Sequence, residues 1–357
     1  MPRSGSGSGS RIHQGLVGAR ALIGTPYLAD PALRREYERD VAPRTIAALG
    51  KVLRELYPTP RSKGGPRRVL DLAAGTGAAG AAVQDHFGTG IALTSVDQVT
   101  AARGARVADV TDFSALTAAI AGDGRFDLVV AAHVFNELFV NEPADQRLTR
   151  LAALAQRWCE LLLADGGTLI LLEPALRETS RALLGVRDRL LGAGLHIVAP
   201  CFFTGPCPAL LRDRDWCHDA AAPVTAGRVA SGASFSSGPP QAADRRGSEP
   251  TGHRVDFSYL VVRSAGDPVT DPTLFRIVSD PLPEKGRLRF YGCGSSGRHA
   301  VVRLDRHLGD GNRDFDRLRR GDVARIQRTT FAQDGLRVGI DTTVSGPGSA
   351  MAGRFPR

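Results

Sequence analysis

Arg68-Val-Leu-Asp-Leu-Ala-Ala-Gly-Thr-Gly-Ala-Ala-Gly80 is the stretch on which the fold turns. An apolar run of strand character enters a glycine-rich turn and leaves into a helix of small residues, Ala78 to Val83. Glycines let the backbone pass close to a ligand, and a helix N-terminus offers unpaired N–H groups. The chain then alternates. A second strand, Leu93-Thr-Ser-Val-Asp97, ends in an acid twenty residues after Gly77. A further acid, Asp109, closes Ala105-Arg-Val-Ala-Asp109. The fourth strand is Phe126-Asp-Leu-Val-Val-Ala-Ala132, followed by His133-Val-Phe-Asn-Glu-Leu138. A helix is expected over 144–164, a fifth strand over Gly167–Glu173 and another helix over 177–193. Strands alternating with helices at this spacing predict an α/β class chain with a doubly wound, Rossmann-like sheet and its ligand at the carboxyl ends of the strands.

A dinucleotide fold is one reading of the glycine turn. The details resemble motif I of the class I S-adenosylmethionine-dependent methyltransferases instead. Asp71 stands four residues before Gly75, in an Asp-x-x-x-Gly-x-Gly arrangement, with Ala73 where that motif usually has its first glycine. The resemblance implies that Asp71, Ala73, Gly75, Gly77, Asp97, Asp109 and His133 bind the cofactor, with Asp97 on the ribose hydroxyls and Asp109 near the adenine.

The rest of the 357 residues arranges itself around this core. Residues 1–10 are a Gly/Ser repeat and are expected to be disordered. Residues 11–65 form a helical N-terminal region. From Pro31 to Leu56 apolar residues recur at three- and four-residue steps, and Pro43 is placed to split the run in two. The methyltransferase-type domain covers 66–199, a cysteine loop 200–219 and a flexible Ala/Ser/Gly/Pro insertion 220–252. A β-rich basic region follows over 253–330, with strands at Asp256–Val262, Gly286–Tyr291 and His299–Leu304, and a mostly disordered tail covers 331–357.

Net charge is +9, and from Leu282 onward fifteen Lys and Arg stand against eight Asp and Glu. That excess favours a polyanionic partner. No run reaches the roughly 18 apolar residues a membrane span needs, and no secretory signal core is present. Structural disulfides are therefore not expected, and clustered cysteines point to a metal. Cys201, Cys207 and Cys217 lie within Pro200–His218, and Cys293 stands alone in Tyr-Gly-Cys-Gly-Ser, placed between two strands. Cys159, inside an apolar helical run, reads as an ordinary buried thiol. Four thiolates suit zinc or an iron–sulfur cluster. The gaps of five, nine and seventy-five residues lack the Cys-x-x-Cys pairs usual in structural zinc sites.

Taken together, Leu171-Leu-Glu-Pro174, Ala199-Pro-Cys201, Cys207-Pro208, Asp215-Trp-Cys-His218 and Phe257-Ser-Tyr-Leu260 resemble the Rsm-twenty-two family, methyltransferase-like proteins of the mitochondrial and bacterial small ribosomal subunit. The likeness spans roughly residues 30–325. It implies S-adenosyl-L-methionine as cofactor and a four-iron four-sulfur (4Fe-4S) cluster on Cys201, Cys207, Cys217 and Cys293. It also implies rRNA and proteins of the small subunit as partners, in ribosome assembly and translation. A monomer without a membrane segment is expected, cytoplasmic in a bacterium or in the mitochondrial matrix of a eukaryote. Departures are present: Phe202-Phe203 replace Pro-His, Asp219 replaces Phe, and Ala175-Leu176 replace Gly-Thr.

Whether methyl transfer occurs is left open by the residues. The Asn-Pro-Pro-Tyr of amine methylation is absent after strand four. Pro200-Cys201 and Pro206-Cys207 match the nucleophile of cytosine-C5 enzymes in form, but ligation is the better use of both. His133 or Glu137 stands where a base would be, and a structural histidine explains His133 equally well. No catalytic residue is assigned. Two alternatives to an rRNA enzyme follow: an inactive RNA-binding assembly factor, and a small-molecule methyltransferase with structural zinc.

Overall fold

The computed structural model describes residues 10–59, 65–99, 101–222 and 254–346. The Gly/Ser start, nearly all of the 220–252 insertion and the last eleven residues lie outside them. The chain divides into two compact units, Met1–Gly124, Val130–Val140 and Ala221–Val255 against Arg125–Val129, Asn141–Ala220 and Asp256–Arg357.

The first unit begins with a short turn of helix, α1 (Arg11–His13), and two longer helices, α2 (Pro31–Asp40) and α3 (Ala42–Leu56). Asp30 starts α2 by accepting from the N–H groups of Ala32 and Leu33, with Pro31 at the first position where its missing donor costs nothing. The break at Val41 precedes Pro43, as the proline predicts. β1 (Arg68–Leu72) runs into the glycine turn and α4 (Ala78–Phe87), and β2 (Ala92–Asp97) and β3 (Arg106–Val107) follow. A helix, α5 (Phe113–Ala119), leads to β4 (Phe126–Ala132), whose residues are divided between the units. Strand order here is β3-β2-β1-β4, with β1 and β3 both parallel to β2. Ile12, Leu28, Tyr37, Ala42 and Ala78 form one apolar cluster of this unit.

The second unit continues from β4 through α6 (Ala144–Leu162), β5 (Leu163–Pro174), α7 (Arg177–Gly192) and β6 (His196–Ala199). The short β7 (Asp219–Ala221) pairs with β8 (Val255–Arg263). The order is β4-β5-β8-β6, and β8 is antiparallel to both β5 and β6. The register Leu171↔Leu260 lies within a pairing from Leu169 to Pro174 in which both strands are apolar, as a sheet buried on two faces requires.

The same unit carries a second sheet built from β9 (Leu274–Ile277), β10 (Leu282–Glu284), β11 (Arg287–Gly294), β12 (Gly297–Leu304), β13 (Val323–Gln327), β14 (Thr330–Ala332), β15 (Gly335–Val338) and β16 (Thr343–Ser345). β9 is antiparallel to β11 and β13, β11 to β12, and β14 to β15, whereas β12 and β15 are parallel. Between β12 and β13 a 3-10 helix, Asp310–Arg317, drops Phe315 into the core, edge-on to Phe290 at 5.1 Å.

Two expectations change here. Pairing persists to Ser345, so the tail does not begin at 331 within the described residues. Val338 and Val344 are buried, and they hold those short strands in place. Cys293 is inside β11, opposite Arg298, rather than between strands; the hairpin turn is Ser295-Ser296. Arg313 and Arg317 sit on the 3-10 helix and Arg325 on β13.

Candidate functional site

A cavity of about 210 Å³ opens in the first unit at the carboxyl ends of β1, β2 and β4. Ala73, Gly75, Asp97, Asp109 and His133 line it, together with the N-terminal segment Thr25–Leu28. Asp97 organises the floor: Oδ2 accepts from the Gly75 N–H at 2.8 Å and Oδ1 from the Val99 N–H at 2.9 Å. Each oxygen keeps a lone pair for a ligand hydroxyl. Asp109 accepts from the N–H and the hydroxyl of Thr111, both at 2.8 Å.

Two of the seven expected cofactor residues do not line the cavity. Asp71 is buried behind the turn, where its Oδ2 accepts from the Gly80 N–H at 2.8 Å and its Oδ1 has no partner among the described residues. It ties strand to helix and fixes the loop. Burial pushes its carboxyl up to about 7. Gly77 caps α4 at φ 85°, a conformation that costs a side chain strain. Ala73 takes φ 56°, so the residue in the place of the usual glycine adopts the glycine's backbone. Gly80 serves packing: a Cβ there would stand 3.0 Å from Leu93 Cδ2 and 3.1 Å from Asp71 Oδ2.

The wall after β4 carries the titratable groups. His133, at φ 62°, contacts the Thr45 hydroxyl through Nε2 at 3.0 Å, and burial lowers its pKa to about 4, leaving it neutral at pH 7. Glu137 accepts from the Tyr27 hydroxyl at 2.8 Å, and burial raises its carboxyl to about 7. Arg20 donates to Asn136 Oδ1 at 2.9 Å. Tyr27 and Thr45 escaped sequence reasoning because they belong to the N-terminal helical region, and nothing in that pattern says which side chains reach a strand end.

The cysteines gather in the second unit. Cys201 follows β6, Cys207 opens the 3-10 turn Pro208–Leu211, Cys217 precedes β7, and Cys293 lies on β11. Burial first, and then the charges of the neighbouring thiols, push Cys207 up to about 11 and Cys293 up to about 12. Cys217 is raised well above the ordinary thiol value by burial and by Cys201, Cys207 and Cys293. Four sulfur groups thus share one neighbourhood, whereas Cys159 is raised by burial and Glu160 alone. Among the described residues, no three His, Cys, Asp or Glu side chains converge tightly enough to hold a single ion.

The loop is fastened from two sides. Arg187, with its side chain 1% exposed, donates to the carbonyls of Phe203 and Gly205 and to Asp188, while Asp188 accepts from the Cys207 N–H at 3.0 Å. Arg276 reaches from β9 to the Pro200 carbonyl at 3.3 Å and lies over the Phe202 ring. Ser258 of β8 donates to the Cys217 carbonyl at 3.1 Å.

The parallel strands around the glycine turn in the first unit, and the antiparallel strand beside β5 in the second, are those of a class I methyltransferase fold. The glycine turn and Asp97 stand where that fold keeps its ligand. The family model described as mitochondrial small ribosomal subunit Rsm22 matches residues 35–324, and the chain belongs to that family. None of the curated proteins matches the chain.

Among solved structures, the plantazolicin methyltransferase BpumL in complex with SAH is 15% identical over 49% of this chain and 61% of its own, with a TM-score of 0.30. The mitomycin 7-O-methyltransferase MmcR gives 18%, 50%, 56% and 0.31. An O-methyltransferase family protein from Burkholderia thailandensis gives 17%, 48%, 57% and 0.31. This chain therefore spans about three fifths of the length of those proteins, a likeness too distant to bear on its activity. Among the described residues, no helix is long and apolar enough to cross a membrane.

Proposed function

We propose that this protein binds S-adenosylmethionine and acts on the small ribosomal subunit during its assembly, with an iron–sulfur cluster held by Cys201, Cys207, Cys217 and Cys293. The observation that carries the cofactor reading is the cavity at the strand ends, where Ala73, Gly75, Asp97, Asp109 and His133 meet. Asp97 retains acceptor capacity for ribose hydroxyls, and the left-handed backbone at Ala73 and Gly75 brings main chain close to the ligand. Asp71 and Gly77 act one step back, by shaping the turn.

The donor set fits a cluster. Cys207, Cys217 and Cys293 are costly as thiolates without a cation beside them, and Cys201 adds to the charge that each of them meets. When bound, the cluster supplies cross-linking energy that becomes folding energy. This chain's residues then hold the cysteine loop against β11, with Arg187 supplying positive charge beside Cys201 and Cys207.

One observation favours a binding role over turnover. The two groups best placed as bases, His133 and Glu137, are already engaged by Thr45 and Tyr27. Calorimetric titration of the purified protein with S-adenosylhomocysteine tests the cofactor site, and Asp97→Ala is expected to lose binding. Tritium transfer from labelled S-adenosylmethionine to small-subunit RNA separates an enzyme from an assembly factor. Failure to co-sediment with small-subunit particles would sink both.

A further inference from the structure

The second sheet of the second unit has a connectivity that the class I fold does not explain. β9, β11 and β12 form an antiparallel meander. A 3-10 helix then plugs the interior with Phe315. β13 and β14 are nearly continuous, bent at Arg328 (φ 60°), with β13 pairing back to β9 and β14 pairing to β15. β15 closes the circuit by lying parallel to β12. Counting β13 and β14 as one bent strand, this is a five-stranded Greek-key barrel of the OB type. The outer face of the second and third strands of such barrels is where oligonucleotides and oligosaccharides bind.

That face here is formed by β11 and β12, and the register shows what it presents. Arg287, Arg289, Tyr291 and Cys293 stand on one side of β11; Arg289 pairs with Val302, which pairs with Arg337 of β15, so both arginines share the row. The other side, with Phe290, Val301, Leu336 and Val338, is the barrel core. The Tyr291 ring lies under two guanidiniums, Arg289 at 5.8 Å and Arg298 at 5.6 Å. Phe331, 76% exposed, pairs with Leu336 and therefore stands on the opposite side of the sheet from this row. Among the described residues, Arg287, Arg289, Arg298 and Arg337 form ion pairs with three carboxylates, Glu284, Asp334 and Asp215. These pairs are partly exposed and stand within reach of an incoming phosphate. From Leu274 to Ser345, fourteen Lys and Arg against nine Asp and Glu leave a net charge of +5.

We infer that the barrel's β11–β12 face is a binding site for single-stranded RNA, with Arg289 and Tyr291 as its stacking and phosphate-contacting centre. Cationic and aromatic groups alternating on such a face suit an unpaired polyanionic strand: bases stack on aromatic rings and guanidinium planes, and arginines meet phosphates. A duplex hides its base faces, and a neutral oligosaccharide leaves the arginines without a partner. The inference rests on the RNA partner proposed above and narrows it to one face and one kind of RNA.

Fluorescence anisotropy of the full chain with a labelled uridine-rich RNA of about 12 nucleotides, within the span one OB barrel covers, is the test. Wild type is expected to bind this strand at least about 10-fold more tightly than a duplex of the same length, as base stacking requires. Arg289→Gln and Tyr291→Leu should each weaken binding by about 5- to 10-fold, on the order of one lost stacking or phosphate contact. Phe331→Ser, at an exposed side chain on the opposite side of the sheet, should change affinity less than about 2-fold. Arg289→Gln should also lower the salt slope by about 1. Arg313→Gln, on the exposed 3-10 helix away from this face, should change affinity less than about 2-fold. Equal binding of duplex, equal loss in Arg313→Gln or Phe331→Ser, or unchanged binding by folded Arg289→Gln and Tyr291→Leu would overturn the inference. So would binding of a neutral oligosaccharide in place of RNA. In each of those cases intact co-sedimentation with small subunits and intact S-adenosylhomocysteine binding would leave the broader reading standing.

Discussion

Replacing Asp71 by Asn should stabilise the protein at alkaline pH and leave much less of that gain at acid pH. The Asp71 carboxyl is 1% exposed and receives one hydrogen bond, from the Gly80 N–H. Burial raises it from 3.8 to about 7. A raised carboxyl binds its proton more tightly in the folded state, so stability falls as pH climbs from the unfolded value towards the folded one. The charged side chain then costs about 4 kcal/mol at pH 8 and about 2 kcal/mol at pH 5, from 1.36 kcal/mol per pKa unit. Asparagine keeps the acceptor for Gly80 and removes the charge, but leaves an amide N–H unpaired at a cost of about 1–3 kcal/mol. That cost is the same at both pH values. The variant's advantage over wild type should therefore grow by about 2–3 kcal/mol between pH 5 and pH 8. Urea unfolding followed by tryptophan fluorescence, with Trp158 fully buried, reads this difference directly. A stability difference that does not change between the two pH values would refute the placement of a buried, weakly solvated carboxylate behind the glycine turn.

Gly80→Ala should destabilise by about 1–3 kcal/mol, because the new methyl meets Leu93 and Asp71 at 3.0 and 3.1 Å; thermal unfolding checks it. Ala73→Gly should be neutral to stabilising by up to about 1 kcal/mol, since it removes a left-handed alanine but frees the unfolded chain; a drop larger than that would contradict the backbone seen at φ 56°. Arg187→Met should cost about 3–5 kcal/mol through the unpaired carbonyls of Phe203 and Gly205 and the loss of Asp188's partner, and should speed proteolysis within the cysteine loop. Iron, sulfide and zinc quantitation after anaerobic purification should find iron and sulfide. Each of Cys201→Ser, Cys207→Ser, Cys217→Ser and Cys293→Ser should lose absorbance near roughly 400 nm, where thiolate-bound clusters absorb, while Cys159→Ser should keep it.

The methyltransferase-type half of the fold was legible because each of its elements announces itself locally. Arg68–Leu72 and Phe126–Ala132 are mostly apolar runs, broken only by Arg68, Asp71 and Asp127, fit for a buried sheet, and the second has the bounds expected from sequence. Pro43 marked the break between α2 and α3, and the glycine spacing marked the turn that lines the cavity. Local spacing could not separate a ligand-facing acid from a bracing one. Asp71 and Asp97 look alike in sequence, yet one points at Gly80 from behind the turn and the other lines the cavity.

The barrel was the harder part for a physical reason. Its strands are three to eight residues long and carry arginines such as Arg276, Arg303 and Arg325, so no clean alternation survives. Strand identity there is conferred by partners far away in sequence, as when β9 is held between β11 and β13. The sequence by itself determined the sheet, the glycine turn, the family and the four cysteines as a set. Only the tertiary structure decided that Tyr27 and Thr45 reach the ends of β4, that Cys293 meets the cysteine loop from inside a strand, and that arginines scattered over 287–337 share one face. Periodicity encodes which way a side chain points along its own element, whereas long-range strand pairing decides what it meets.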